Sequence, residues 1–260
     1  MGEGRGEGIR PHHCLFPLTL TLSLKGEGTV RCLCYHKSPF FHGEKHMQTS
    51  YSTFLLAGYT VHRITFDPAT FTEADLLWLP HYQQLSQAGR KRKADHLAGR
   101  IAAFHALNRK NIPGIGSSGE PLWPAGVSGS ISHSGSQAVA ICRENSLVGI
   151  DCEAIIVESE AREIQDGVID ATEAKLLAEC DLPFALAFTL TFSAKESLFK
   201  ALFPQVQAWM GFDSARVTAL AADTLTLTLT RPLPPFAQNQ VFTAYWRRDD
   251  ATVVTLICDA

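Results

Sequence analysis

The sequence has little of what would tie a chain to a membrane, to nucleic acid or to an oxidising compartment. None of its 260 residues belongs to a run approaching the roughly 18 consecutive apolar residues of a membrane-spanning helix. The nearest stretch, Leu15-Phe16-Pro17-Leu18-Thr19-Leu20-Thr21-Leu22-Ser23-Leu24, alternates Leu with Thr. No small-residue cleavage site follows it, so it does not read as a secretion signal. Positive charge is not in excess either. The 23 Lys and Arg face 26 Asp and Glu, a net charge of −3, which argues against wholesale binding to nucleic acid or an anionic bilayer. The 7 cysteines are odd in number and lack metal-finger spacing, and Cys32 and Cys34 form only a lone C-x-C. They read as reduced thiols of a cytosolic protein.

What is present is ample apolar material, 45% of the residues, for a packed core. The strand and helix patterns begin just after Met47. The Gly-, Glu- and Arg-rich residues 1–46 are expected to be a disordered or mis-included N-terminal extension, with an N-terminal lobe over 47–146 and a C-terminal lobe over 147–260. Residues 54–66 read as an extended pair around Gly58, residues 72–85 as a helix, and residues 89–107 as a long helix with Leu97, Ala98, Ile101 and Phe104 at helical spacings. Short strands are expected over 128–131, 138–142 and 147–152. Helices follow over 159–168 and 172–180, the second capped by Asp170 or Thr172. A long helix starts at Pro183 and is expected to end at Pro204, and strands cover 215–220, 224–230, 241–246 and 252–258. The fold class is therefore α+β: two lobes of similar size, each with helices packed on a small, mostly antiparallel sheet, meeting near Leu147 where a ligand cleft is expected.

Chemistry concentrates at four places. Asp151 and Glu153 stand two residues apart in a strand, so both leave one face. Two acids at a strand end can simply be solvated. Glu196, however, lies four and eight residues after Phe192 and Phe188, in line with a core stripe, and an acid there must be paired, neutralised or metal-bound. Three crowded carboxylates call for a hard divalent cation or shared protons. Lys200, one turn beyond Glu196, offers either a modest i,i+4 ion pair or a charge suited to a leaving phosphate.

The cluster Gly89-Arg90-Lys91-Arg92-Lys93, with Arg100 further along the same helix, adds positive charge to a helix N-terminus, a site for phosphate if not merely a solvated face. Ser132-His133-Ser134-Gly135 offers hydroxyl and imidazole groups or a plain turn, and is not the G-x-S-x-G elbow of serine hydrolases. Gly114-Ile115-Gly116-Ser117-Ser118-Gly119 fits G-x-G-x-x-G but follows a helix and leads into Pro121, the wrong context for a dinucleotide fingerprint. On the residues alone, a divalent-cation-dependent phosphodiesterase or nuclease remains open.

Read in order, Arg90 to Ala103, Pro121-Leu122-Trp123-Pro124, Gly129-Ser130-Ile131-Ser132-His133, Gly149-Ile150-Asp151-Cys152-Glu153 and the segment from Thr191 to Lys200 resemble the 4′-phosphopantetheinyl transferases, in the branch that serves enterobactin-type siderophore synthases. The resemblance runs from about Tyr51 to the end. Each motif is weak alone; the set is specific. Cys152 replaces the usual aliphatic residue between the acids, and Phe192 stands where many members carry Trp.

The resemblance implies a monomer of two pseudo-symmetric lobes with coenzyme A and Mg²⁺ between them. Asp151, Glu153 and Glu196 would be the metal ligands, and Arg90, Arg92, Lys93, Arg100, Ser132 and His133 the cofactor-binding set. Glu196 and Lys200 would be the catalytic pair. The acceptor would be a serine of apo aryl or peptidyl carrier domains of a nonribosomal peptide synthase, with no nucleic acid involved. The protein would work in the cytoplasm or peripherally at the inner membrane, alone or in an enterobactin synthase complex. A non-catalytic coenzyme A-binding synthase partner is the alternative without chemistry. Leu198, Phe203 and Trp209 are the candidates for an exposed apolar patch that meets the carrier.

Overall fold

The computed structural model describes residues 46–258. The expected extension over residues 1–46 lies outside them, save His46, whose Nδ1 contacts Asp75 Oδ1 at 2.9 Å; Cys14, Cys32 and Cys34 lie outside them too. Strands β1 (Thr49–Leu56) and β2 (Tyr59–Phe66) form a hairpin whose two turn residues, Ala57 and Gly58, both have positive φ, 52° and 81°. That is the backbone a two-residue hairpin turn needs, and Gly58 adopts it without steric cost.

The helix expected over 72–85 is instead two 3₁₀ segments, Glu73–Trp78 and Tyr82–Leu85. Pro80 separates them. It forces Leu79 into extended backbone (φ −86°, ψ 128°) and cannot donate a helical N–H, so the apolar spacing alone was misleading.

Helix α1 (Arg90–Ala106) starts at Gly89, as expected, and buries Ala94, Leu97, Ala98, Ala102 and Ala103. A small ribbon, β3 (Gly114–Ile115) with β4 (Pro121–Leu122), accounts for the glycine-rich segment. Strands β5 (Val127–Ser134) and β6 (Gln137–Glu144) close the first sheet, an antiparallel four-stranded unit in the order β1-β2-β6-β5. Helix α1 lies on it over Ile64, Phe66, Ala138 and Ala140.

The second sheet is also antiparallel, with five strands. Strand β7 (Val148–Ala154) leads to α2 (Glu158–Ile164) and α3 (Ala171–Glu179). The long α4 (Phe184–Val206) comes next, then β8 (Ala215–Leu220), β9 (Thr224–Leu229), β10 (Val241–Asp249) and β11 (Thr252–Cys258). The strand order is β7-β11-β10-β9-β8, all antiparallel. Asp170 caps α3 and exchanges bonds with Glu173 in a capping box. Helix α4 does not stop at Pro204 but runs two residues past it, because the loss of one N–H leaves later bonds such as Gln207 N–H to Phe203 O intact. Leu186, Leu190, Leu198 and Leu202 pack on the second sheet, while Phe188 and Phe192 pack toward α2 and α3. Burial all round makes α4 the axis of this half.

The two sheets share one apolar layer, with Leu56, Val61, Val139 and Ile141 against Val148, Ile150, Val254 and Leu256. Strand β7 is an edge of its own sheet, and β5 seals that edge with serines at every second residue. Ile150 N–H donates to Ser130 Oγ at 3.0 Å and Ala154 N–H to Ser134 Oγ at 3.1 Å. Between them, Ser132 donates to Asp151 Oδ1 at 2.8 Å. The acid strand is thereby fixed to both halves. At its start Gly149 has no room for a side chain: a Cβ there would lie 2.0 Å from Ser197 O of α4.

Candidate active site

Strand β7 and helix α4 bring the acids together. Asp151 is fully buried, and its carboxylate accepts from Ser132 and Lys200 on Oδ1, at 2.8 and 2.6 Å, and from Ser193 on Oδ2 at 2.8 Å. Ser193 and Ser197 both contact Thr255 Oγ1, at 2.9 and 2.7 Å, so a ladder of hydroxyls locks α4 onto β11 beside β7. Glu153 is 6% exposed, and its Oε1 is a buried atom without a hydrogen-bond partner. Glu196 is 5% exposed.

The charges interact accordingly. Burial, then Asp151 and Glu196, push the Glu153 carboxyl up to about 9 against the pull of Lys200. Burial raises Glu196 to about 7, with Lys200 opposing and Asp151 adding to the rise. For Lys200, burial would lower its proton affinity, but Asp151 and Glu196 outweigh it and the ammonium is held above its ordinary value. The expected i,i+4 pairing of Lys200 with Glu196 therefore gives way to a shorter bond with Asp151 on the neighbouring strand. Among the described residues no three His, Cys, Asp or Glu side chains already form an assembled metal group. The unpartnered Glu153 oxygen, within electrostatic reach of Asp151 and Glu196, is nonetheless hard-oxygen chemistry of the kind that suits Mg²⁺.

The cationic face is less uniform than its sequence. Arg90 donates to the carbonyls of Ala69 and Phe71, Lys93 to Glu73, and Lys91 to Asp95. Arg100 is 5% exposed and spends Nε and Nη2 on the carbonyls of Pro113 and Gly114, both at 2.8 Å. Arg92 is exposed and neither hydrogen-bonds nor ion-pairs with any described residue. With no acid in its first turn, the helix N-terminus faces an uncompensated guanidinium, an arrangement that favours an anion. His133 joins the two regions: its Nδ1 is 3.8 Å from Asp95 Oδ2 and has no hydrogen-bond partner. Burial depresses its proton affinity, Asp95 opposes, and Lys200 and Lys91 depress it further.

Several residues at the site escaped the sequence reading. Ser193 lies three residues before Glu196, on the same helix face, and Ser130 and Ser134 repeat Ser132 at the strand period; both spacings were there to be used. His96, whose Nε2 is 2.9 Å from His81 Nε2, sits among Arg100, Arg92 and His133. Lys195, the neighbour of Glu196, points away from the acids and pairs with Glu173 at 2.8 Å, also donating to Val168 O and Phe212 O. It braces α4 to α3 and to the loop after α4. Of the three candidates for an apolar docking patch, Leu198 is core at 1% exposure, Phe203 is half-buried against Phe199, and only Trp209, at 62%, is exposed.

Helices on two small antiparallel sheets, with an acid strand where the sheets meet, define a class. The chain matches the family model of the 4′-phosphopantetheinyl transferase N-terminal domain over residues 81–143 and that of the 4′-phosphopantetheinyl transferase superfamily over residues 147–256. It belongs to that superfamily and is a coenzyme A-dependent enzyme that transfers phosphopantetheine to carrier domains. The chain is 46% identical over 218 residues to enterobactin synthase component D of Salmonella typhi, an alignment spanning 81% of this chain and 91% of that one. It is 44% identical over 213 residues to enterobactin synthase component D of Escherichia coli strain K12, spanning 81% and 98%. A more distant match is the 4′-phosphopantetheinyl transferase PptT of Mycobacterium tuberculosis, 34% identical over 141 residues, 49% of this chain and 59% of that one.

Proposed function

We propose that this chain moves the 4′-phosphopantetheine arm of coenzyme A onto a serine of aryl or peptidyl carrier domains, activating a nonribosomal synthase of the enterobactin type. The observation that carries the reading is the seam itself, where Asp151, Glu153 and Glu196 share one electrostatic site with Lys200. The likeness to enterobactin synthase component D supports the choice of synthase.

Asp151, Glu153 and Glu196 would hold Mg²⁺, which when bound offsets the charge of the diphosphate. Arg92, at the head of α1, would take a nucleotide phosphate, with Ser132, His133, Arg90, Lys93 and Arg100 shaping the rest of that face. Phosphoryl chemistry needs alignment and charge stabilisation more than covalent help, so no nucleophile is required from this chain. The carrier serine oxygen forms the new bond to phosphorus, its proton passes to Glu196, and the P–O bond of the diphosphate breaks. Glu196, 5% exposed on α4, is a carboxylate suited to that task. Lys200 donates to the departing 3′,5′-adenosine bisphosphate.

Domain limits near residue 147, action as a monomer or in a synthase complex, and a place in the cytoplasm or at the inner membrane belong to the same proposal. Among the described residues no helix is long and apolar enough to cross a membrane. The test is the intact mass of apo carriers after incubation with the protein, coenzyme A and Mg²⁺. An aryl or peptidyl carrier of a siderophore synthase gains one phosphopantetheine; a panel in which none gains it overturns the reading.

A further inference from the structure

The group that meets the acids most closely is a side chain of the same protein. Lys200 Nζ is 2.6 Å from Asp151 Oδ1 and 3.1 Å from Ser132 Oγ, and it also faces Glu196 and Glu153. Ser132 Oγ donates to the same Asp151 oxygen at 2.8 Å, and Ser193 serves the other one. A carboxylate oxygen accepts about two strong bonds, so Ser132 and Lys200 together saturate Oδ1. For Asp151 Oδ1 to ligate a cation, one of them must leave.

The two donors differ in how easily they go. Ser132 sits on β5, between serines that seal the edge of β7, and its side chain is one carbon long. Lys200 reaches the acid from α4 on four methylenes and is the more mobile partner. A second positive charge brought to Asp151 would also repel the ammonium strongly at this depth.

We infer that Lys200 is an exchangeable counter-ion. It holds the three acids together without metal, and it releases Asp151 when a divalent cation is bound, which turns the ammonium toward the donor's phosphates. This rests on the reading that Asp151, Glu153 and Glu196 are the metal ligands, and goes beyond it in giving Lys200 a part before any chemistry. Metal loading and phosphate binding then become ordered: a lysine still on Asp151 is not available to coenzyme A.

Metal alone, without coenzyme A, tests the exchange. Chelator-treated wild type and Lys200→Met are titrated with Mn²⁺ by calorimetry, and their thermal midpoints are recorded with and without the ion. The variant should melt lower without metal, bind Mn²⁺ about tenfold more tightly because nothing has to be displaced, and gain more from it in midpoint. Equal or weaker Mn²⁺ affinity in a variant with native circular dichroism overturns the inference. Should Lys200→Met not fold, the Lys200 ¹⁵Nζ resonance of wild type decides, assigned by its loss in Lys200→Arg. It should shift on saturation with Mg²⁺, and an unmoved resonance overturns the inference. Absence of Mn²⁺ binding to wild type also overturns it, together with the ligand assignment, whereas the transferase reading stands or falls separately on modification of the carrier.

Discussion

The two long helices each pack on an antiparallel sheet but carry charge in opposite ways. Helix α1 pairs two of its cations at the surface: Lys93 meets Glu73, which is 68% exposed, and Lys91, itself 52% exposed, meets Asp95. Helix α4 buries Lys195 and Glu196 and half-buries Lys200. Lys195 and Glu173 have side chains 4% and 2% exposed, and Lys200 rests on a fully buried Asp151. Surface pairs are screened by water and contribute little, whereas a buried ion that loses its partner is left in a medium that cannot solvate it. The first helix can therefore give up a charged partner to a ligand at small cost. On the second, a charged partner can leave only when another charge takes its place.

The comparison breaks most readily at Lys195. Lys195→Met leaves Glu173 buried and unpaired and should cost about 3–5 kcal/mol in chemical denaturation. Lys93→Met, the matching change on α1, should cost under about 1 kcal/mol. Equal losses would erase the distinction. Next comes Arg92→Ala, which removes a guanidinium that pairs with no described residue. Coenzyme A affinity by calorimetry should fall by about tenfold or more while the melting midpoint stays within a degree or two, since a charge-assisted bond to phosphate contributes about 1.5–3 kcal/mol.

Acidity separates the halves as well. Glu153 and Glu196 are raised from 4.5 to about 9 and about 7, so between pH 4.5 and those values the folded protein holds protons that the unfolded chain has lost. Depressed histidines such as His96 and His105 oppose this below about pH 6.5, so stability of the chelator-treated protein should decline only as pH rises from about 6.5 toward 9, a trend that Glu153→Gln should largely remove. A midpoint that climbs steadily from pH 7 to 9 in chelator would contradict the assigned environments. The smallest effect belongs to the seam serines: Ser134→Ala leaves the Ala154 N–H without its acceptor and should cost about 1 kcal/mol by denaturant titration.

Local signals were the legible ones. The β1–β2 hairpin, the start of α1 at Gly89 and the cap of α3 at Asp170 each depend on residues within a few positions, and each appears where the sequence places it. Pro80 shows the limit from inside a pattern, since the helical spacing over 72–85 was real but the chain could not follow it. The nearness of Asp151, Glu153, Glu196 and Lys200 was legible because they lie on one strand and one helix. What the spacing could not show was which partner each charge takes. Lys195 finds Glu173 across 22 residues, and Lys200 finds Asp151 across 49 in preference to Glu196 one turn away. Leu198 looked available for docking because the sequence does not reveal that α4 is buried on every side.

The central claim is that the buried α4 acid beside Asp151 takes the proton of the acceptor serine. It is tested most directly by the intact mass of an apo carrier incubated with coenzyme A, Mg²⁺ and Glu196→Gln, against wild type at equal concentration. The account predicts a drop of about 10²–10⁴-fold in the rate of phosphopantetheine addition, with coenzyme A still bound and the fold unchanged. Modification by the variant at the wild-type rate would contradict it.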